Sequence, residues 1–387
     1  MEQTNCTALR SMEGFDEYIT SLRSETGFEL ARLEPCRDEV CVAIWGDGNP
    51  DISGMGVSIG YAIEVSLGAA LVLASMLLGR LQGRRWEVWE RVVQAGLQSF
   101  FDSALYFALS IEMAIIVVLV NKDFGISTHG FGAGDAQVAL AISSLCILPL
   151  LQPLSRLRGR EDEDAVQAKD DRGRPREETD AHRDNLSLLL FSLLVVLFFY
   201  PFVSQGMHNL GPGRMGEGKV VTIEEWWQVR NLCFRSVTGL TGTELLLLKI
   251  TEMAASLIIY LFAAWQLLVA LSRKMEADDR QLGDHRRATA MLGKARKLLQ
   301  RHTRNGLAQA VFVVVPTTLA GILLYSIFRM RSAQKEMLEG VGARYGGNDW
   351  GFGQIMGIVI FTPVVTEMCF AAWKGSRREV VTAEVIS

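Results

Sequence analysis

Seven long, charge-poor apolar runs restrict this chain more than anything else in it, because each is long enough, at ~20 residues per crossing, to span the hydrocarbon layer of a bilayer. They lie near 56–79, 95–120, 136–154, 186–204, 244–271, 307–328 and 352–373. The 49% hydrophobic content of the 387 residues would not by itself separate this chain from a soluble protein. The distribution does, since a soluble core interrupts its apolar residues every few positions at a period of 2 or 3.6. The fold class predicted is all-α, a polytopic integral membrane bundle of about seven transmembrane helices. A polar segment 1–55 precedes the bundle 56–373, and a short tail 374–387 follows it. Pro149 and Pro153 predict a kinked or early-ending third span, and Pro316 and Pro363 predict kinks in the sixth and seventh.

Orientation follows from the basic residues of the connections. The segment after the first span holds four arginines, that after the third eight basic residues between Arg156 and Arg183, and that after the fifth ten between Arg273 and Arg304. The intervening 121–135 has only Lys122. This alternation predicts a cytoplasmic C-terminus and a luminal or extracellular N-terminus, with 121–135, 205–243 and 329–351 on the N-terminal side. The first 40 residues lack the basic stretch and apolar core of a signal peptide, so insertion is expected to rely on the first span. The reading is of a multi-pass protein of the endoplasmic reticulum or another endomembrane, with the lipid bilayer as a partner.

On that topology Cys6, Cys36, Cys41 and Cys233 share the oxidising side and are disulfide candidates, while Cys146 and Cys369 lie in spans. Spacing alone leaves the connectivity open. Asn5-Cys6-Thr7 is an N-glycosylation sequon on the same side. No CxxC pair or cysteine-histidine cluster points to a metal, and no cofactor is expected. The basic clusters lie between spans and are interleaved with acids, which argues against nucleic acid as a partner. The doubly charged stretch 159–184 reads as a solvated, disordered loop. The segment 273–304 reads as an amphipathic helix or helical hairpin on the cytoplasmic leaflet, or as an ordinary basic connector.

The string WGDGNPDISGMGVSIGY, residues 45–61, reads as a helix entrance, with Pro50 fixing the approach and Asp51 or Ser53 as the cap. It lacks the spacing and the lysine of a phosphate loop. Within the spans, ionisable residues are the functional candidates, because each costs roughly 2.5–3.5 kcal/mol to insert. Glu64, Glu112 and Glu252 fall at similar depth toward the N-terminal side of three different spans, where they could share one chamber; Asp102 lies deeper. A carboxyl in a dry apolar chamber stays protonated near neutral pH and can protonate a substrate. Lys249, three residues before Glu252, could neutralise it instead. Asp102 and Tyr106 form an i, i+4 pair within a polar stripe expected to face the bundle, and Tyr106, Lys249 and Glu367 are candidate substrate contacts. The catalytic candidates are thus Glu64, Asp102, Glu112 and Glu252.

NPDISGMGVSIGY followed by FFDSALYFALSIEMA in the second span resembles a group of filamentous-fungal multispanning proteins with an NPDIxGxGV motif. Among its members with an assigned activity are the membrane-bound terpene cyclases of the ascofuranone and macrophorin type. The resemblance implies a protonation-initiated cyclisation of a prenylated, farnesylated or epoxidised meroterpenoid intermediate, an isomerase activity of secondary metabolism whose partner is a hydrophobic prenylated small molecule. It transfers no catalytic residue position by position. The Asp-rich cluster of diphosphate-ionising terpene synthases is missing from every span. A transporter, channel or receptor-like protein with buried carboxylates is the alternative class.

Overall fold

The structure, a computed structural model, describes residues 23–24, 27–28, 31, 33–81, 83–121, 132–167, 178–210, 223–234, 240–282 and 306–386. Ahead of the bundle a two-residue antiparallel ladder pairs β1 (Arg23–Ser24) with β2 (Gly27–Phe28). Twelve helices follow among the described residues: α1 (Arg37–Trp45), α2 (Pro50–Ser53), α3 (Met55–Leu78), α4 (Arg84–Asn121), α5 (Ala133–Gln167), α6 (Glu178–Leu197), α7 (Phe199–Leu210), α8 (Ile223–Cys233), α9 (Gly242–Leu282), α10 (Gly306–Gly340), α11 (Phe352–Val359) and α12 (Thr362–Ile386).

Among the described residues seven segments are long and apolar enough to cross a membrane: Pro50–Leu78, Trp86–Asn121, Ala133–Leu154, Leu186–Met207, Gly242–Leu268, Val311–Gly340 and Gly353–Gly375. The outer surface of the bundle is itself apolar, with Leu73, Val117, Leu189, Val196, Leu257, Val314 and Val365 all exposed. A protein in water would bury such residues; one in lipid has no reason to. Exposed Trp86 and Trp89 at the start of α4 lie at the same end as exposed Trp373 on α12, and Trp350 is exposed before α11. Tryptophans at helix ends are what a bilayer interface selects.

The third span is the axis of the fold. In its most apolar stretch 94% of the residues are buried, against 17% to 44% in the other six. Helix α5 touches α3, α4, α7, α9 and α10, and its N-terminal end meets α1. It passes through Pro149 and Pro153 and runs on to Gln167, so it does not end early. In α10 Pro316 supplies no N–H to the Phe312 carbonyl, and the next carbonyl, of Val313, accepts from Thr317 Oγ1 (2.8 Å) and from Gln152 Nε2 of α5 (2.9 Å). At Pro363 the seventh span divides into α11 and α12, with the proline in the first turn of α12, where it needs no donor.

Charged segments that read as connectors in the sequence are partly helical. Helix α5 extends through Gln167 and α6 begins at Glu178, so of the stretch 159–184 only 168–177 lies outside the described residues. Glu, Arg and Ala have high helix propensity, and a helix leaving the membrane continues through them. Helix α9 reaches Leu282, and 283–305 lies outside the described residues.

The glycine-rich string at 45–61 does form the entrance to the first span, but its cap is Asn49, not Asp51 or Ser53. The Asn49 side chain accepts from the backbone N–H of Asp51 (2.9 Å), and the first helical position is Pro50. After the short turn α2, α3 starts at Met55 and lies directly on α11. Gly60 of α3 faces Gly357 of α11, Gly56 lies against Gln354, and the N–H of Gly56 donates to Gln354 Oε1 (3.0 Å). Gly56 and Gly60, one turn apart on α3, let its backbone touch that of α11, the usual route to tight packing without a hydrophobic drive.

Helix α1 caps the N-terminal end of α5, and helix α8 packs on α1. The two are joined by the Cys41–Cys233 disulfide, and Trp45 packs edge-on against Phe234 at 4.8 Å. Met337, Leu338 and Val341, at the far end of α10, complete this cluster with Tyr345. Four spans lie between Cys41 and Cys233, an even number, so both ends of the bond emerge on one face. Cys36 is also disulfide-bonded, and Cys146 and Cys369 are free thiols. Cys6 and Asn5 lie outside the described residues.

Candidate functional site

Helix α3 buries a stripe at 3.6-residue spacing that includes Val57, Ser58, Tyr61, Glu64, Gly68 and Leu71. That stripe carries Glu64 into the bundle, where its side chain is fully buried and neither carboxyl oxygen has a hydrogen-bond partner. From α4, Glu112 is equally buried and accepts from Ser143 Oγ of α5 at 2.7 Å; its second oxygen is unpartnered. Glu64 and Glu112 both act electrostatically on Tyr61 and on the Cys146 thiol, so the four side chains form one buried group around α5. The Tyr61 hydroxyl donates to the Ile52 carbonyl (2.9 Å), tying the group to the entrance turn.

Beside Glu112 and Ser143 runs a polar chain that crosses three helices. Gln205 Nε2 of α7 donates to the Leu140 carbonyl (2.8 Å) and to Ser144 Oγ (3.0 Å) of α5. The hydroxyl of Ser256 on α9 donates to Gln205 Oε1 (2.6 Å) and lies 3.4 Å from Ser144 Oγ. Glu252 is buried one turn from Ser256 on the same helix. Aromatic rings flank the group, with Tyr61 5.6 Å from Phe107 between centroids and Phe107 5.9 Å from Phe361. Phe100 stacks on Phe361 at 6.0 Å.

The other candidates are not gathered here. Asp102 is half-buried and accepts from Gln98 Nε2 (3.4 Å) on its own helix. Tyr106, in the same stripe, is 52% exposed and points out of the bundle, as does Ser110. The polar stripe of the second span therefore does not face inward as a unit: a four-residue step turns a helix 40° past one full turn, and that offset is enough to leave the interface. Lys249 is exposed while Glu252 is buried, so their three-residue spacing does not bury them as a pair. Glu367 is exposed on α12.

Two buried polar positions escape a sequence reading because the spans run further than their apolar cores. Gln205 belongs to the fourth span, which continues to Met207, and Arg331 belongs to the sixth, which continues to Gly340. Arg331 is only 5% exposed and donates from Nη1 to Ser58 Oγ of α3 at 3.0 Å. One turn on, Gln334 Nε2 donates to the carbonyls of Trp45 (2.9 Å) and Gly46 (3.2 Å) and to Asp135 Oδ1 (2.8 Å). The signal was present as the spacing of Ile327, Met330, Arg331, Gln334 and Met337, all on the buried side of one helix. Compared with models of protein families, with characterised proteins and with solved structures, the chain matches none.

Proposed function

We propose that this protein is a membrane-bound terpene cyclase that starts cyclisation of a farnesylated or epoxidised meroterpenoid intermediate by protonation, with Glu64 as the general acid. The observation that carries the proposal is the burial of Glu64 and Glu112 around Tyr61 inside an apolar bundle, next to the Phe107 and Phe361 rings. Glu64 makes no hydrogen bond through either oxygen, which leaves its proton free to go to a substrate. Transfer of that proton to an epoxide oxygen or a terminal alkene carbon opens a carbocation. An internal alkene attacks it, and aromatic faces stabilise the charge as it migrates. Loss of a proton from the last cation to a carboxylate, on Glu64 or Glu112, ends the sequence. The resemblance of the NPDISGMGV and FFDSALYFALSIEMA strings to fungal multispanning proteins supports the same reading.

The site of action is an endomembrane, with residues 1–55 on its luminal side. The basic connections and the disulfide between α1 and α8 support that placement, since such bonds persist in oxidising compartments. Microsomes containing the protein should convert a farnesylated phenol or its terminal epoxide to a cyclised isomer of unchanged mass, and Glu64→Gln should abolish the product. A second reading, proton or ion transport, is favoured by one observation: the Ser144–Gln205–Ser256 chain lies beside Glu112 and links three helices in the way a relay would. A proton flux across proteoliposomes that Glu112→Gln removes, with no cyclised product, would replace the first reading by the second.

A further inference from the structure

Arg331 is a cation buried in the membrane-spanning part of the bundle, and among the described residues no carboxylate lies within ion-pair distance of it. A guanidinium cannot shed its charge to escape this position, because it stays protonated at every accessible pH. An unpaired charge of this kind is costly in hydrocarbon, and buried intramembrane arginines are normally matched to an anion. Here only Nη1 is engaged, by Ser58 Oγ at 3.0 Å, and Nε is buried without a partner. The Ser58 hydroxyl spends its proton on the Ser53 carbonyl (3.4 Å), so it holds the guanidinium in place and leaves the charge intact. Among the described residues the buried acid at that end of the bundle, Asp135, is engaged by Gln334. Glu64 is six residues further along α3 than Ser58, roughly 9 Å along the axis.

From this arrangement we infer that Arg331 is the anchor of an anion subsite, between α3 and α10, for the carboxylate of an apolar ligand. The planar fork of an arginine matches a carboxylate in two parallel hydrogen bonds. Charge decides between carboxylate and phosphate: one buried positive charge neutralises a monoanion, whereas a phosphate dianion would leave a net negative charge in the bundle. Set less than two turns from Glu64 along α3, the subsite orients an amphiphilic acid with its carboxylate toward the entrance turn and its hydrocarbon toward the buried Glu64 and Glu112 carboxyls. The inference deepens the cyclase reading by naming the substrate class, prenylated aromatic acids, and rests on that reading only for the choice of probe.

The test is binding of three probes to the full chain in nanodiscs: a farnesylated dihydroxybenzoic acid, its methyl ester, and the farnesylated phenol lacking the carboxyl. The acid should bind about tenfold or more tighter than the other two. Arg331→Gln should remove that preference while leaving ester binding unchanged, and Arg331→Lys should retain only part of it. Equal binding of acid and ester by the wild-type chain, or binding of neither, overturns the inference without recourse to a variant. So does an acid preference that survives Arg331→Gln. Arg331-dependent acid binding without a cyclised product keeps the subsite and removes the cyclase; turnover of the phenol without any acid preference does the reverse.

Discussion

Gly60 of α3 and Gly357 of α11 meet backbone to backbone, so that a Cβ added at Gly60 would lie 2.5 Å from the Gly357 carbonyl oxygen. Glu64 follows one turn later on α3, and its depth in the bundle depends on that contact. Gly60→Ala should therefore destabilise the protein by about 1–3 kcal/mol, the range for overpacking a closed interface. The melting temperature of the protein in detergent is the measurement, and an unchanged value would mean that α3 and α11 are not in contact.

Glu64 and Glu112 should respond differently to removal of their protons. If Glu64 is the acid, Glu64→Gln should lower turnover by ~10²–10⁴, the usual contribution of a positioned acid, with little change in substrate affinity. Ser143→Ala should act only through Glu112, by deleting its 2.7 Å hydrogen bond, and should cost far less. Product formation followed by mass spectrometry separates the two, and equal losses in both variants would reassign the acid.

The Cys41–Cys233 bond ties α1 to α8 across 192 residues of sequence. With a protease site inserted within 168–177, the cut halves should remain joined on a gel until a reductant is added. Cys41→Ser should release them at once and lower stability by ~2–5 kcal/mol. Halves that part without reductant would show that the bond does not form.

Asn5 offers a check on sidedness. A luminal N-terminus should make the protein lose mass on treatment with a glycosidase, and Asn5→Gln should remove that shift. Trimming of the first 40 residues by a protease confined to the cytosol would invert the topology.

The seven spans could be read from the chain because lipid imposes one rule on length and apolarity, and each run satisfies it with few interruptions. Helix ends were harder. Arg331 and Gln205 look like connector residues, since a polar side chain ends an apolar run whether it faces lipid, water or the bundle interior. Only the packing of α3 on α10 and of α5 on α7 shows that these two face inward. Among the carboxylates, the similar depth of Glu64, Glu112 and Glu252 follows from counting residues along each helix, and all three are buried. Rotation about the helix axis does not follow from counting over a short polar stripe, which is why Tyr106 points outward and Lys249 parts from Glu252. Ser143 and the Gln205–Ser256 link were invisible for a plainer reason: a lone serine or glutamine in a span acquires meaning only from the neighbour that three-dimensional packing supplies.

The same Cys41–Cys233 bond also sets an order of events during synthesis. Cys41 leaves the ribosome 192 residues before its partner, and at ~5–20 residues per second it waits on the order of 10–40 s as a reactive thiol. Throughout that interval it can be captured by Cys36, by another thiol of the chain, or by an oxidoreductase. Four spans must be inserted, and α8 delivered to the correct face, before the right partner is within reach. Closure of the bond is thus a chemical record that an even number of spans was threaded between its two ends, and a chain missing one span would carry two thiols on opposite faces that cannot meet.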